Sequence, residues 1–114
     1  MQMTASTAGN ALVVTVGDRR VDAAVAVRFK EQMQELTSIA HERVILDLRN
    51  VEFLDSSGLG AVVGSMKQLS RQSRLDLAGL TPTVDKVFRI TRMDQVFRIY
   101  ESSEAALKDI EHAS

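Results

Sequence analysis

Asp55-Ser56-Ser57-Gly58-Leu59-Gly60 is the segment whose residue types and spacing could do chemistry. Aspartate and serine ahead of a helix-spaced apolar run are capping residues, and a helix start presents unpaired backbone N–H groups and the positive end of the helix dipole. A phosphoryl group added there would bring about −1.5 to −2 charges, which the helix start stabilises locally. A partner fitted to a neutral serine would then meet bulk and repulsion. The spacing makes Ser56 or Ser57 the expected N-cap. Taken alone, these residues need be no more than a well-capped helix. Gly58, Gly60 and Gly64 weaken that plain reading, because each costs a helix roughly 1 kcal/mol relative to alanine unless close approach requires it. Something has to lie tight against this helix, either its own sheet or a partner's surface.

Other chemistry finds little support. The chain has no cysteine, which removes thiolate metal ligands, disulfides and a cysteine nucleophile together and fits a reducing, cytoplasmic setting. His41 and His112 are far apart in sequence and belong to no ligand-spaced cluster, so no metal or cofactor is expected. Ser56 as a catalytic nucleophile would need a base, and neither a Gly-x-Ser-x-Gly elbow nor a suitably placed histidine is present. A non-enzymatic protein is expected. The five methionines are scattered as core filling or exposed ends. Arg71, Arg74, Arg89, Arg92 and Arg98 read as a solvated basic face.

The elements that must position the segment follow from periodicity. Met3 to Thr7 and Ala11 to Val16 flank Gly9-Asn10, a hairpin turn pair. Val21, Val25, Phe29, Met33, Leu36 and Ala40 trace one face of a helix over about 21–40, with Asp22 near its positive end. Val44-Ile45-Leu46-Asp47-Leu48 is short and nearly all apolar, as a central strand covered on both faces would be. Leu59, Val62, Val63, Met66 and Leu69 mark a second helix over about 57–72, and Leu75 to Ala78 a further strand. Thr81-Pro82 opens a third helix with a threonine N-cap, Val96 to Tyr100 is a short strand, and Ser102-Ser103-Glu104 caps a last helix burying Ala106, Leu107 and Ile110. The order ββαβαβαβα predicts one α/β domain spanning 1–114, with its core over about 2–110 and a mixed, mostly parallel sheet flanked by helices.

At 114 residues the chain has room for one core of useful size. Fourteen basic and fifteen acidic residues leave no basic excess, so direct nucleic-acid binding is not expected. No apolar run reaches the roughly 20 residues of a membrane span, and no membrane insertion is expected.

The series Val44 to Leu48, Phe53 to Gly60, Leu75 to Val84 and Phe97 to Ser102, in this order, resembles the STAS-domain anti-sigma factor antagonists. In that family a strand leads through Asp-Ser-Ser/Thr-Gly-Leu-Gly into a helix. The resemblance implies partner switching: the unmodified protein binds an anti-sigma factor, often itself a serine kinase; phosphorylation of the serine after the aspartate releases it; a metal-dependent serine phosphatase restores binding. Carried over, the phosphorylated residue is Ser56, with Ser57 as second choice and a more structural role. Asp55, Gly58, Leu59 and Gly60 would orient the serine or shape the contact surface. The free form is expected to be a monomer.

Three departures stand out. Where the family commonly has Gly-Glu-Leu-Asp, this chain has Gly17-Asp18-Arg19-Arg20-Val21-Asp22, so Arg19 and Arg20 join the expected partner surface. Gln72-Ser73 replaces a common Gly-Gly, and Thr91-Arg92-Met93-Asp94 a common Thr-Gly-Leu-Asp. Two alternatives stand beside the switch: a STAS-like structural subunit of a transport assembly, and a small-molecule or nucleotide-sensing module using the same helix start without covalent change.

Overall fold

A computed structural model describes residues 1–109. In chain order its elements are β1 (Met3–Ala8), β2 (Ala11–Val16), β3 (Arg20–Val21), α1 (Ala26–Leu36), β4 (Arg43–Asp47), β5 (Phe53–Leu54), α2 (Ser56–Gln68), β6 (Arg74–Ala78), α3 (Pro82–Ile90), a 3-10 turn at Met93–Gln95, β7 (Ile99–Tyr100) and α4 (Ser103–Lys108). The main sheet runs β1-β2-β4-β6-β7. Only the β1–β2 hairpin is antiparallel; its partners run one-to-one from Met3 opposite Val16 to Ala8 opposite Ala11. Gly9 supplies the positive φ of 61° that the tight turn requires. The mixed, mostly parallel α/β architecture expected from the sequence is therefore the one observed.

Every residue of β4 is buried, as its apolar run predicts, and alternation divides them between two faces. Val44 and Leu46 join the larger core with Phe29 and Met33 of α1, Val62 of α2 and Val84 and Phe88 of α3. Ile45 turns to the opposite face, beneath Ala106 of α4. That face also buries charge. Arg43 Nη2 lies 3.0 Å from Asp76 Oδ2, and Arg43 Nη1 donates to the Ala106 carbonyl at 2.8 Å, so the ion pair also satisfies the C-terminal end of α4. Ser102 caps the start of α4, accepting from Ala105 N–H at 3.0 Å. Ile110, expected on its inner face, and His112 lie outside the described residues.

Four local expectations are corrected. Val21 does not begin the first helix: it is a buried residue of β3, paired with Leu54, and α1 starts five residues later. Asp22 consequently accepts from Ala24 N–H in the intervening turn instead of facing a helix end. Thr81 occupies the N-cap position of α3, but its hydroxyl donates to the Val51 carbonyl at 2.8 Å and makes no cap bond. The last strand is confined to Ile99–Tyr100, because Met93–Gln95 coils and half-exposed Val96 follows it. Nor are the five arginines all plain solvated charges: Arg74 pairs with buried Asp76, and Arg89 with Asp85 and Asp94. No helix among the described residues is long and apolar enough to cross a membrane.

Tyr100 reports on the α4 face. Its burial first, then the hydrogen bond it donates to Asp109 Oδ2 at 2.7 Å, hold the phenol above the usual tyrosine value near 10, with Arg43 opposing. A raised folded-state value means that this contribution to stability is present below the unfolded value near 10 and is lost as pH rises through the folded one. Because the chain has one tyrosine and no tryptophan, phenolate absorbance reads this group alone. Its titration midpoint is expected above that of the unfolded chain and should move down in Asp109→Asn; an unchanged midpoint in the variant would remove Asp109 from the account.

Candidate functional site

The chain leaves β4, makes the short strand β5 and enters α2 at Ser56. Phe53 and Leu54 of β5 pair in parallel with Arg20 and Val21 of β3, forming a two-stranded sheet beside the main one. The Arg19 carbonyl accepts from the N–H groups of both Glu52 and Phe53, at 2.7 and 3.1 Å. The loop after β2 is thus fastened to the segment before the serines. It brings Arg19 and Arg20, more than thirty positions earlier in the chain, to the edge of the same surface.

Asp55 is the N-cap of α2, which corrects the expectation that Ser56 or Ser57 fills that position. Its Oδ1 accepts from Gly58 N–H at 2.8 Å and its Oδ2 from Ala23 N–H at 3.2 Å. One carboxylate therefore caps the helix and ties it to the turn between β3 and α1. Aspartate and serine are nearly equal as caps, but only the longer-range bond to Ala23 selects Asp55. With the cap supplied by its neighbour, Ser56 becomes the first helical residue and Ser57 the second. Both are exposed, and neither hydroxyl has a hydrogen-bond partner among the described residues. Their backbone N–H groups fall in the first turn, where no intrahelical acceptor exists.

The glycines separate into three cases. A Cβ on Gly58 would overlap the Val21 carbonyl oxygen and crowd Leu54, so Gly58 lets α2 seat directly on β3. At Gly64 an added Cβ would meet Cε of Lys30 at 3.0 Å, the flexible end of a side chain reaching across from α1. At Gly60 it would meet nothing within 4 Å. The tight contact inferred from the glycine count is thus internal at Gly58, while Gly60 lies open on the exposed side of α2, with half-buried Leu59 beside it.

Around this helix start the surface is mixed in charge. Arg19 is 84% exposed and lies 3.5 Å from Glu52; Arg20 lies 3.4 Å from Asp22, with its guanidinium carbon 4.1 Å from the Phe53 ring centroid. Phe53, 36% exposed, is a surface aromatic residue whose outward position the motif alone does not give. Its signal was available: an apolar residue at an alternating position beside buried Leu54 must face outward. His41 Nδ1 donates locally to the Ile39 carbonyl at 3.0 Å, away from these residues in the chain.

Residues 2–106 match the sequence profile of the STAS domain. The chain belongs to the STAS domain family. It is 37% identical over 81 residues to an anti-sigma-B factor antagonist of Listeria monocytogenes, a match covering 69% of this chain and 70% of that one. It is 28% identical over 74 residues to the anti-sigma F factor antagonist of Paenibacillus polymyxa, covering 64% of this chain and 63% of the relative. Among solved structures, the anti-sigma factor antagonist SpoIIAA in its unphosphorylated form superposes with a TM-score of 0.77 at 21% identity, covering 96% of each chain. The phosphorylated form of SpoIIAA, a Bacillus cell fate determinant, gives 0.70 at 20% identity, covering 96% of this chain and 99% of that one. At these identities the structures speak for the fold, and the STAS fold is what β1 to α4 form.

Proposed function

We propose that this STAS domain is an anti-sigma factor antagonist working by partner switching: unmodified, it binds an anti-sigma factor or switch kinase through the start of α2, and phosphorylation of Ser56 releases that partner. A serine phosphatase would return it to the binding form. The observation that carries this reading is the position of Ser56, an exposed hydroxyl without a partner at the first residue of a helix already capped by Asp55. A phosphate there meets the unpaired N–H groups of the first turn, so the chain's own fold tolerates the modification. The partner's surface is what would have to give way. The relatives named as anti-sigma factor antagonists support the partner class. Asp55, Ser57, Leu59, Gly60, Arg19 and Arg20 would make up the contact surface, with buried Gly58 seating the helix beneath it.

Ser56 is preferred over Ser57 because it is the serine directly after the aspartate, the position to which the family resemblance assigns the phosphoryl group. Intact mass after incubation with each candidate switch kinase and ATP tests this. Wild type and Ser57→Ala are expected to gain one phosphoryl group and Ser56→Ala none. A gain in Ser56→Ala with loss in Ser57→Ala would move the site by one residue, and no gain in any chain would remove the switch.

A further inference from the structure

We infer that β1 is a self-pairing edge, through which two copies of this chain form a two-fold dimer with one continuous ten-stranded sheet. The main sheet has two edges, and they differ. β7 has only two residues, whereas β1 offers six, Met3-Thr4-Ala5-Ser6-Thr7-Ala8, most of them exposed. Edge strands are normally protected from pairing by charge, proline or a bulge. β1 has no charged residue and no proline, and its one-to-one register with β2 leaves no room for a bulge.

The hydrogen-bond register fixes how a second copy would fit. Gly17 N–H donates to the Gln2 carbonyl at 2.7 Å, so Gln2 belongs to the set of residues whose backbone groups face β2. Alternation then assigns Thr4, Ser6 and Ala8 to β2 and turns the N–H and C=O of Met3, Ala5 and Thr7 outward. None of these three outward pairs bonds to another described element. An antiparallel copy centred on Ala5 sets Ala5 opposite Ala5 and Met3 opposite Thr7, each as a pair exchanging both backbone bonds. The outward set is therefore its own complement under a two-fold axis, as an isologous interface requires. Thr4 falls opposite Ser6, a favourable hydroxyl pair, and no like charges meet. The axis stands perpendicular to the sheet and reverses the strands, so the two Ser56 ends point in opposite directions and both stay open to partners. This state would form at high concentration from the free monomer expected from the sequence.

With small side chains and few apolar contacts the dimer is expected to be weak, half-dissociating at a concentration on the order of 0.1 mM. Sedimentation of the full chain from 10 µM to 1 mM should show the mass rising from one chain towards two. Ala5→Lys and Ala5→Glu each place like charges opposite one another across the axis and should weaken association by about tenfold or more, while their equimolar mixture restores it as a mixed dimer. Ala5→Pro removes an outward N–H that the monomer does not use and should block pairing with the monomer's thermal stability nearly kept. Amide exchange at Met3, Ala5 and Thr7 should slow with concentration. A wild type that stays monomeric at 1 mM overturns the inference, and so does a dimer that survives Ala5→Pro or two charged variants whose mixture stays monomeric.

Discussion

Gly58→Ala is expected to lower the stability of this domain by about 2 kcal/mol or more, even though alanine is the better helix former by roughly 1 kcal/mol. The reason is where the new methyl group would go. It points at the Val21 carbonyl oxygen and the side chain of Leu54, not into solvent, and a backbone carbonyl held in the β3–β5 pairing cannot rotate aside as a side chain would. Relief requires α2 to lift from β3. Lifting stretches both bonds of the Asp55 carboxylate, to Gly58 and to Ala23, so the helix start and the turn before α1 loosen together. At about 4 °C per kcal/mol for a domain of this size, the melting temperature should fall by about 8 °C or more. The same change at Gly60, where the methyl meets nothing, should raise stability by up to about 1 kcal/mol. Thermal melts of the two variants side by side check the contrast. Equal effects would mean that the seating of α2 on Val21 is not what requires glycine at position 58.

That contrast marks how far the sequence could be read. Counting glycines was enough to infer a close contact on α2, because alanine would otherwise serve better. It could not tell Gly58 from Gly60, since the atom that decides is the carbonyl of Val21, thirty-odd positions earlier in the chain. Val21 itself was legible as buried but not as a strand. It stands four residues before Val25 and so continues the helical stripe of α1, and a two-residue strand has no period of its own to compete with that pattern. The cap was ambiguous for a related reason. Asp55, Ser56 and Ser57 are all good N-caps, and the choice is made by Ala23 N–H, a tertiary partner. By contrast the hairpin at Gly9-Asn10, the run Val44 to Leu46 and the cap at Ser102 rest on local signals and appear in the fold as expected. Gly60, too, acquires meaning only with the structure: an exposed helical glycine that no neighbour needs fits a surface which something outside the chain approaches closely. On that view Gly60→Ala gains stability and loses partner affinity.

Ser56→Asp is expected to lower partner affinity by about a hundredfold, or about 2.7 kcal/mol, while Ser56→Ala stays within about threefold of wild type. The size follows from where the charge sits. At the first residue of α2 a carboxylate is favoured by the helix dipole by about 0.3–1 kcal/mol, so within the free chain the change is neutral or mildly stabilising despite the neighbouring Asp55. Ser56 is exposed with no internal hydrogen bond to lose, and alanine at the same position removes nothing the fold uses. In the complex the balance reverses. A surface built to cover a neutral hydroxyl would bury the new charge without the hydrogen-bond donors or the cation needed to receive it, and desolvation acts against binding. Full phosphorylation, with its greater charge and volume, should weaken binding further. Melting temperatures within a few degrees of wild type for both variants would assign the difference to the interface and not to unfolding. Titration calorimetry with the partner captured by the wild-type chain checks the prediction, and equal affinities for the alanine and aspartate variants would take Ser56 out of the contact.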